Sequence, residues 1–183
     1  MEQVIALEVE AVHNRQRGVR AFDFGDRDSS IQRRHWNRAL IREGQALVRR
    51  CLARNQPGPY QIQAAINAVH SDARVAADTD WRQILGLYTL LESHLDSPVV
   101  TLNRAVAVAK VHGPTAGLAL LDTLRDDDRV TRSHRYAAVR AHLLELQGDV
   151  DAAKELYLVA AKLATNTSEQ RYLRTRALGV VSG

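Results

Sequence analysis

The stretch VRAHLLELQGDVDAAKELYLVAAKL, at residues 139–163, decides the fold. Apolar residues recur at helical spacing on both sides of Gly148, which predicts two helices joined by a glycine turn. Small side chains at Ala141, Ala153 and Ala160 would let paired helices approach closely, and Tyr157 would fill the space between neighbouring hairpins. The stretch therefore predicts an antiparallel helical hairpin.

A second stretch, NRAVAVAKVHGPTAGLALLDTL at 103–124, has the same order of helix, glycine turn and helix. Aligning Arg104 with Arg140 gives an offset of 36 residues, which is near the ~34-residue period of tetratricopeptide hairpins. This copy is degenerate, because Gly117 stands where an alanine is expected. Together with a helix that follows Asp78, the copies predict two to three stacked hairpins with a concave face. A generic alanine-rich bundle is the alternative.

Helical periodicity continues along the rest of the chain, and strand patterns are almost absent. We therefore predict an all-α fold of antiparallel helical hairpins stacked in a tetratricopeptide-like array, with about seven to eight helices. Residues 1–183 are expected to form a single domain, with an N-terminal helical portion at 1–54 and the array at 58–183. The turn NQPGP at 55–59 separates the two portions.

Several helix starts and one loop can also be predicted. Asp78 or Thr79 is expected to cap the helix that begins near Trp81, and Ser133 is expected to cap a later one. The acidic run at 126–128 is predicted to be a loop.

The helix that Pro59 begins, within GPYQIQAAINAVHSDA at 58–73, is unusually rich in amides. Its polar residues follow spacings of three, four and three, which places them on one helical face. We predict that this face contributes to a partly polar interaction cleft, with Arg104 as the charged anchor and Trp81 as the apolar one. The predicted cleft residues are Tyr60, Gln63, Asn67, His70, Trp81, Asn103 and Arg104. Two alternatives stay open: the amides and the imidazole bond to backbone carbonyls at the turn, or Arg104 pairs with Asp78 or Asp80 and joins two helices.

No catalytic or metal-binding pattern is present in the sequence. The seven histidines are widely separated and lack the HExxH spacing. P-loop, G-x-G-x-x-G and G-x-S-x-G motifs are absent, and Cys51 lies on an apolar helical stripe that favours a buried, inert thiol. We therefore expect a protein that is not an enzyme and that needs no cofactor or metal.

The charge distribution argues against a nucleic-acid surface. Residues 1–54 hold 11 arginines and 7 acidic residues, whereas residues 55–183 hold 14 basic and 14 acidic residues. The arginines are scattered, while a DNA-binding domain more often has one dense basic face. The single cysteine suits a reducing cytoplasm, and no apolar run approaches the ~20 residues of a membrane span.

Four stretches resemble, in this order, the C-terminal extension of a group of bacterial extracytoplasmic-function sigma factors. They are HWNRALIREGQALVRR, GPYQIQAAINAVHS, DTDWRQILGLYTLL and SPVVTLNRAVAVAKVHGP. The resemblance runs from about Val4 to Leu178, and the extension is tetratricopeptide-like in that family. The promoter-binding regions that precede the extension in the family are missing from this chain, and the family's acidic and aromatic run is altered here to DSSIQRRHW at 28–36.

The resemblance implies a regulatory or interaction domain of an RNA polymerase sigma factor that acts in transcription initiation. Its implied partners are the promoter-binding regions of the same sigma factor, core RNA polymerase, or both, and a regulatory protein is a further candidate. No catalysis, no membrane contact and no direct specific DNA binding are expected of this chain. The alternatives are a free-standing tetratricopeptide-like adaptor for a partner peptide and a small-ligand sensor.

The chain by itself is expected not to bind promoter DNA specifically, because it lacks recognition helices and its basic excess is small. A gel-shift titration at near-physiological salt tests this expectation. Sequence-specific binding in the ~10⁻⁸ M range of specific sites would contradict it.

Overall fold

The computed structural model describes residues 58–72 and 78–180, and these residues are all-α. This confirms the predicted all-α fold class, and eight helices lie in the described ranges. The helices are α1 (Pro59–Asp72), α2 (Trp81–His94), α3 (Pro98–His112), α4 (Pro114–Asp122), α5 (Asp128–Thr131), α6 (His134–Gln147), α7 (Val150–Leu163) and α8 (Thr167–Gly179). The predicted helical portion at 1–54, with Cys51, lies outside the described residues.

The chain divides into two compact units. The described part of the first, here called the α1–α2 unit, is 58–72 with 78–100. The described part of the second, here called the repeat unit, is 101–180. The expectation of one domain over 1–183 stays a prediction.

In the α1–α2 unit, the two full helices pack against each other through apolar residues at helical spacing. The buried residues are Ile62, Ala65 and Ile66 of α1 and Ile84, Tyr88 and Leu91 of α2. The prediction of the α2 cap was wrong by one or two positions. Asp80 is the N-cap, and its carboxylate accepts a 3.0 Å hydrogen bond from the backbone N–H of Gln83. Thr79 is buried instead.

In the repeat unit, α6 and α7 form the predicted hairpin around Gly148. Gly148 has φ 93° and ψ 5°, the left-handed conformation that glycine adopts without steric cost. The N–H of Asp149 reaches back to the carbonyl of Leu144 at 3.0 Å and closes the end of α6. The carboxylate of Asp149 then caps α7. Packing continues from α7 to α8 and from α6 back to α4.

The N-terminal caps of α5 and α6 bear on two further sequence predictions. Ser133 caps α6 as predicted, because its hydroxyl accepts a hydrogen bond from the N–H of Tyr136. The acidic run at 126–128 is only partly a loop, since Asp127 caps the short helix α5 and Asp128 is its first residue. An aspartate before a helix satisfies the free N–H groups of the first turn, which is why this run begins a helix.

The 36-residue period of the sequence is also a period of burial. Pairs of positions 36 residues apart are both buried in the two copies: Ala105 and Ala141, Gly117 and Ala153, Leu121 and Tyr157, and Leu124 and Ala160. The helix α8 extends the pattern to a third copy, which the sequence analysis missed. Its buried Leu173 and Ala177 lie 36 residues after Ala137 and Ala141.

Gly117 is glycine because no Cβ fits at its position. A Cβ placed there would lie 2.7 Å from the Cβ of Ala109, 2.8 Å from the carbonyl oxygen of Ala105 and 2.9 Å from Cδ1 of Leu143. Two of these neighbours are on α3 and the third is on α6. Gly117, which made the first copy look degenerate, therefore lies where α3, α4 and α6 pack together too closely for a methyl group.

Two glycine substitutions should have opposite effects on stability. Gly117→Ala should lower the urea midpoint, because overpacking costs about 1–3 kcal/mol. Gly86→Ala is the matched control, since Gly86 is an exposed position inside α2 and a Cβ there meets nothing within 4 Å. That substitution should raise the free energy of unfolding by about 0.5–1 kcal/mol through helix propensity, and the urea midpoint should rise with it. A rise for both variants would contradict the close contact at Gly117.

Candidate functional site

The α1–α2 unit contains five of the seven predicted cleft residues. Tyr60 is 87% exposed at the start of α1. Gln63, Asn67 and His70 are half-buried along the same helix. The ring of His70 meets that of Trp81 edge to face, with centroids 5.3 Å apart and an interplanar angle of 78°. This contact places Trp81, the first residue of α2, beside the His70 end of the α1 face.

The other two predicted residues, Asn103 and Arg104, are half-buried on α3 and belong to the repeat unit. Asp80, one of the two acids suggested as an internal partner for Arg104, caps α2 with its carboxylate. A single cleft that contains all seven residues stays a prediction.

The sequence analysis missed a polar cluster in the repeat unit that is centred on Glu145. Its Oε2 accepts a 2.8 Å hydrogen bond from the hydroxyl of Tyr157 and a short one from the guanidinium of Arg176. His142 lies beside them, with Nδ1 3.5 Å from the same carboxylate oxygen. The Arg176 guanidinium carbon is also 5.7 Å from the centroid of the Tyr157 ring, within cation–π range. This Glu145 cluster joins α6, α7 and α8.

A second polar contact, between an imidazole and a carboxylate, connects α6 and α8 near their other ends. Nε2 of His134 lies 3.2 Å from Oε1 of Glu169, and both side chains are mostly buried. His134 begins α6 and Glu169 is in the first turn of α8, whereas Glu145 and Arg176 lie near the ends of these helices. The two helices are therefore linked at both ends and run side by side in the same direction.

Burial and charge shift the pKa values of the Glu145 cluster. Burial opposes ionisation of Glu145, but the hydrogen bond from Tyr157 and the charge of Arg176 hold its pKa below the usual range. Burial raises the pKa of Tyr157, so its hydroxyl stays protonated as a donor. Burial lowers the pKa of His142 from 6.5 to about 4, so the imidazole is neutral at pH 7. The bonds to Glu145 join helices, whereas Nε2 of His142 and Nε of Arg176 are buried without a hydrogen-bond partner among the described residues.

One sequence signal could have located the third repeat. The dipeptide Arg-Ala occurs at 104–105, 140–141 and 176–177, each time 36 residues apart. In every copy the alanine is buried. Arg140 and Arg176 each bond a carboxylate on an earlier helix of the unit, Arg140 to Asp122 at 2.7 Å and Arg176 to Glu145. The pair at 104 and 140 was recognised in the sequence, but its continuation to 176 was not.

The described residues provide no group of three or more histidine, cysteine, aspartate or glutamate side chains that could hold a metal ion. Within the same ranges, no helix combines the length and the apolar character that crossing a membrane requires.

Comparison with known proteins gives one curated relative to report. A protein of Rhizobium meliloti (strain 1021), described only as uncharacterized, is 44% identical to this chain over 142 residues. The match covers 78% of this chain and 33% of the relative, so the chain spans about a third of the relative's length. No protein-family model matches the chain, and no solved structure matches it.

The neutral, buried state of His142 predicts a stability that depends on pH. Below pH 6.5 the imidazole is protonated in the unfolded chain, but in the folded chain it stays neutral until about pH 4. The unfolded state therefore binds more protons in this window, and the free energy of unfolding should fall as the pH is lowered from 6.5 towards 4. Urea titrations across this range should show a smaller decrease for His142→Gln than for the unsubstituted chain.

His112→Gln removes an exposed imidazole at the end of α3 and is the control. Equal pH dependence in His142→Gln and the unsubstituted chain would contradict the burial of a neutral imidazole at position 142.

Proposed function

We propose that this chain is a regulatory, protein-binding array of an RNA polymerase sigma factor. The observation that carries the proposal is the threefold repeat of the Arg-Ala position with the buried small residues around it. Stacked helical repeats present long surfaces that bind peptides or other protein domains. The resemblance of four sequence stretches to sigma-factor extensions supplies the biological setting.

The proposed role is non-catalytic and needs no cofactor. The array would hold the promoter-binding regions of the sigma factor, or core RNA polymerase, in a state that a signal can change. The polar contacts that link α6 and α8 support such a role, because a scaffold that keeps its shape loses less conformational entropy on binding.

The Trp81 and Arg104 side chains give the proposal a direct test. In the full-length protein that contains this chain, Trp81→Ala and Arg104→Ala should alter promoter-dependent transcription by core RNA polymerase. Both variants should keep the melting temperature of the unsubstituted protein. Arg125→Ala is the matched control for Arg104, because the Arg125 side chain is 72% exposed and pairs only with its neighbour Asp126 in the described part of the chain.

If Trp81→Ala and Arg104→Ala each lost stability and activity to the same extent, Trp81 and Arg104 would have only a structural role. Failure of the full-length protein to bind core RNA polymerase would reject the sigma-factor assignment altogether, and the adaptor interpretation would then replace it.

A further inference from the structure

The outward side of α8 differs from the side that packs in the repeat unit. Leu173 and Ala177 are buried and face the unit. Arg171, Arg174 and Leu178 are exposed and follow one another at spacings of three and four residues, which places them on one face of the helix. These three residues are called the α8 outer face.

The arginines of this face differ in pairing from other arginines of the repeat unit. Arg125, Arg129, Arg132, Arg140 and Arg176 each form an ion pair with a carboxylate. Arg171 and Arg174 form none with the residues that the structure describes. The nearest acid on their own helix, Glu169, is bonded to His134. The α8 outer face therefore carries a positive charge that is not neutralised by these neighbours.

Leu178 adds an apolar contact to this charge. It is 70% exposed, whereas the other leucine of α8, Leu173, is 2% exposed. With a rise of about 1.5 Å per residue, Leu178 lies about 6 Å along the helix from Arg174 and about 10 Å from Arg171. Two cations and one apolar side chain thus occupy about two helical turns of one face.

We infer that the α8 outer face docks an acidic, leucine-containing helical segment of a protein partner. Carboxylates with helical spacing would meet Arg171 and Arg174, and an apolar side chain would cover Leu178. A nucleic acid fits less well, since nucleic-acid-binding surfaces carry dense basic clusters and this face has only two arginines beside an exposed leucine. The links at both ends of α8 hold this face in one orientation. The inference rests on the proposed function and names the chemistry of the partner.

The test uses the whole 183-residue chain and a synthetic probe. The probe is a fluorescently labelled helical peptide of about 16 residues in which glutamates and leucines share one face. Fluorescence anisotropy should detect binding that weakens as salt increases. Arg171→Glu with Arg174→Glu should weaken binding by about tenfold or more. Leu178→Asn should weaken it by about fivefold to tenfold through the lost apolar contact.

Arg125→Glu with Arg132→Glu is the matched control, because it makes the same change of charge at two exposed arginines outside α8. This control should change the affinity less than about twofold. A second peptide with lysine in place of glutamate should bind the Arg171→Glu, Arg174→Glu chain better than the unsubstituted chain. Circular dichroism and urea midpoints check that each variant folds, as expected for exposed positions.

Absence of binding up to about 1 mM peptide, the weak limit of specific association, would overturn the inference. An equal loss of affinity in the control double variant would also overturn it, since binding would then follow net charge. The sigma-factor proposal fails separately, through the polymerase and transcription assays. Loss of transcriptional control in Trp81→Ala and Arg104→Ala without peptide binding would keep the sigma-factor proposal and reject only the α8 outer face.

Discussion

The close approach of helix backbones in the repeat unit is the constraint on which the rest of that unit depends. At Gly117 there is no room for even one methyl group, and Ala105, Ala141, Ala153 and Ala160 are fully buried at the contacts. Small side chains contribute little hydrophobic area each, but they bring many backbone atoms into van der Waals contact. Larger side chains, such as Tyr157, then occupy the spaces between the hairpins. If one helix were shifted along its neighbour, these side chains would clash with the closely packed positions.

The charged contacts act on top of this packing and have a different role. The side chains of the His134 to Glu169 contact and of the Glu145 cluster are mostly buried, so their attraction is largely offset by the cost of removing charged groups from water. Their effect is on geometry. Each connects α6 to α8 at a different end, so together they set the two helices side by side in one direction. Tyr157 contributes both to the apolar packing and to the polar contacts, since its ring packs in the core while its hydroxyl donates a hydrogen bond to Glu145.

This division of charges has a consequence for the surface of the unit. Acids near α8 are engaged by His134 and Arg176, so the arginines on its outer side are left to the solvent or to a partner. A binding surface on such an array needs no pocket and no catalytic group, because it uses the spacing of side chains along a helix.

The sequence by itself determined the all-α class, the hairpin at 139–163 and the repeat at 103–124, because helical periodicity and turn glycines depend on neighbouring residues along the chain. Tertiary structure decided why Gly117 is glycine and that Glu145 collects bonds from Tyr157 and Arg176. These features could not be predicted because each joins residues from separate helices, and one sequence does not specify which side chains of packed helices will meet.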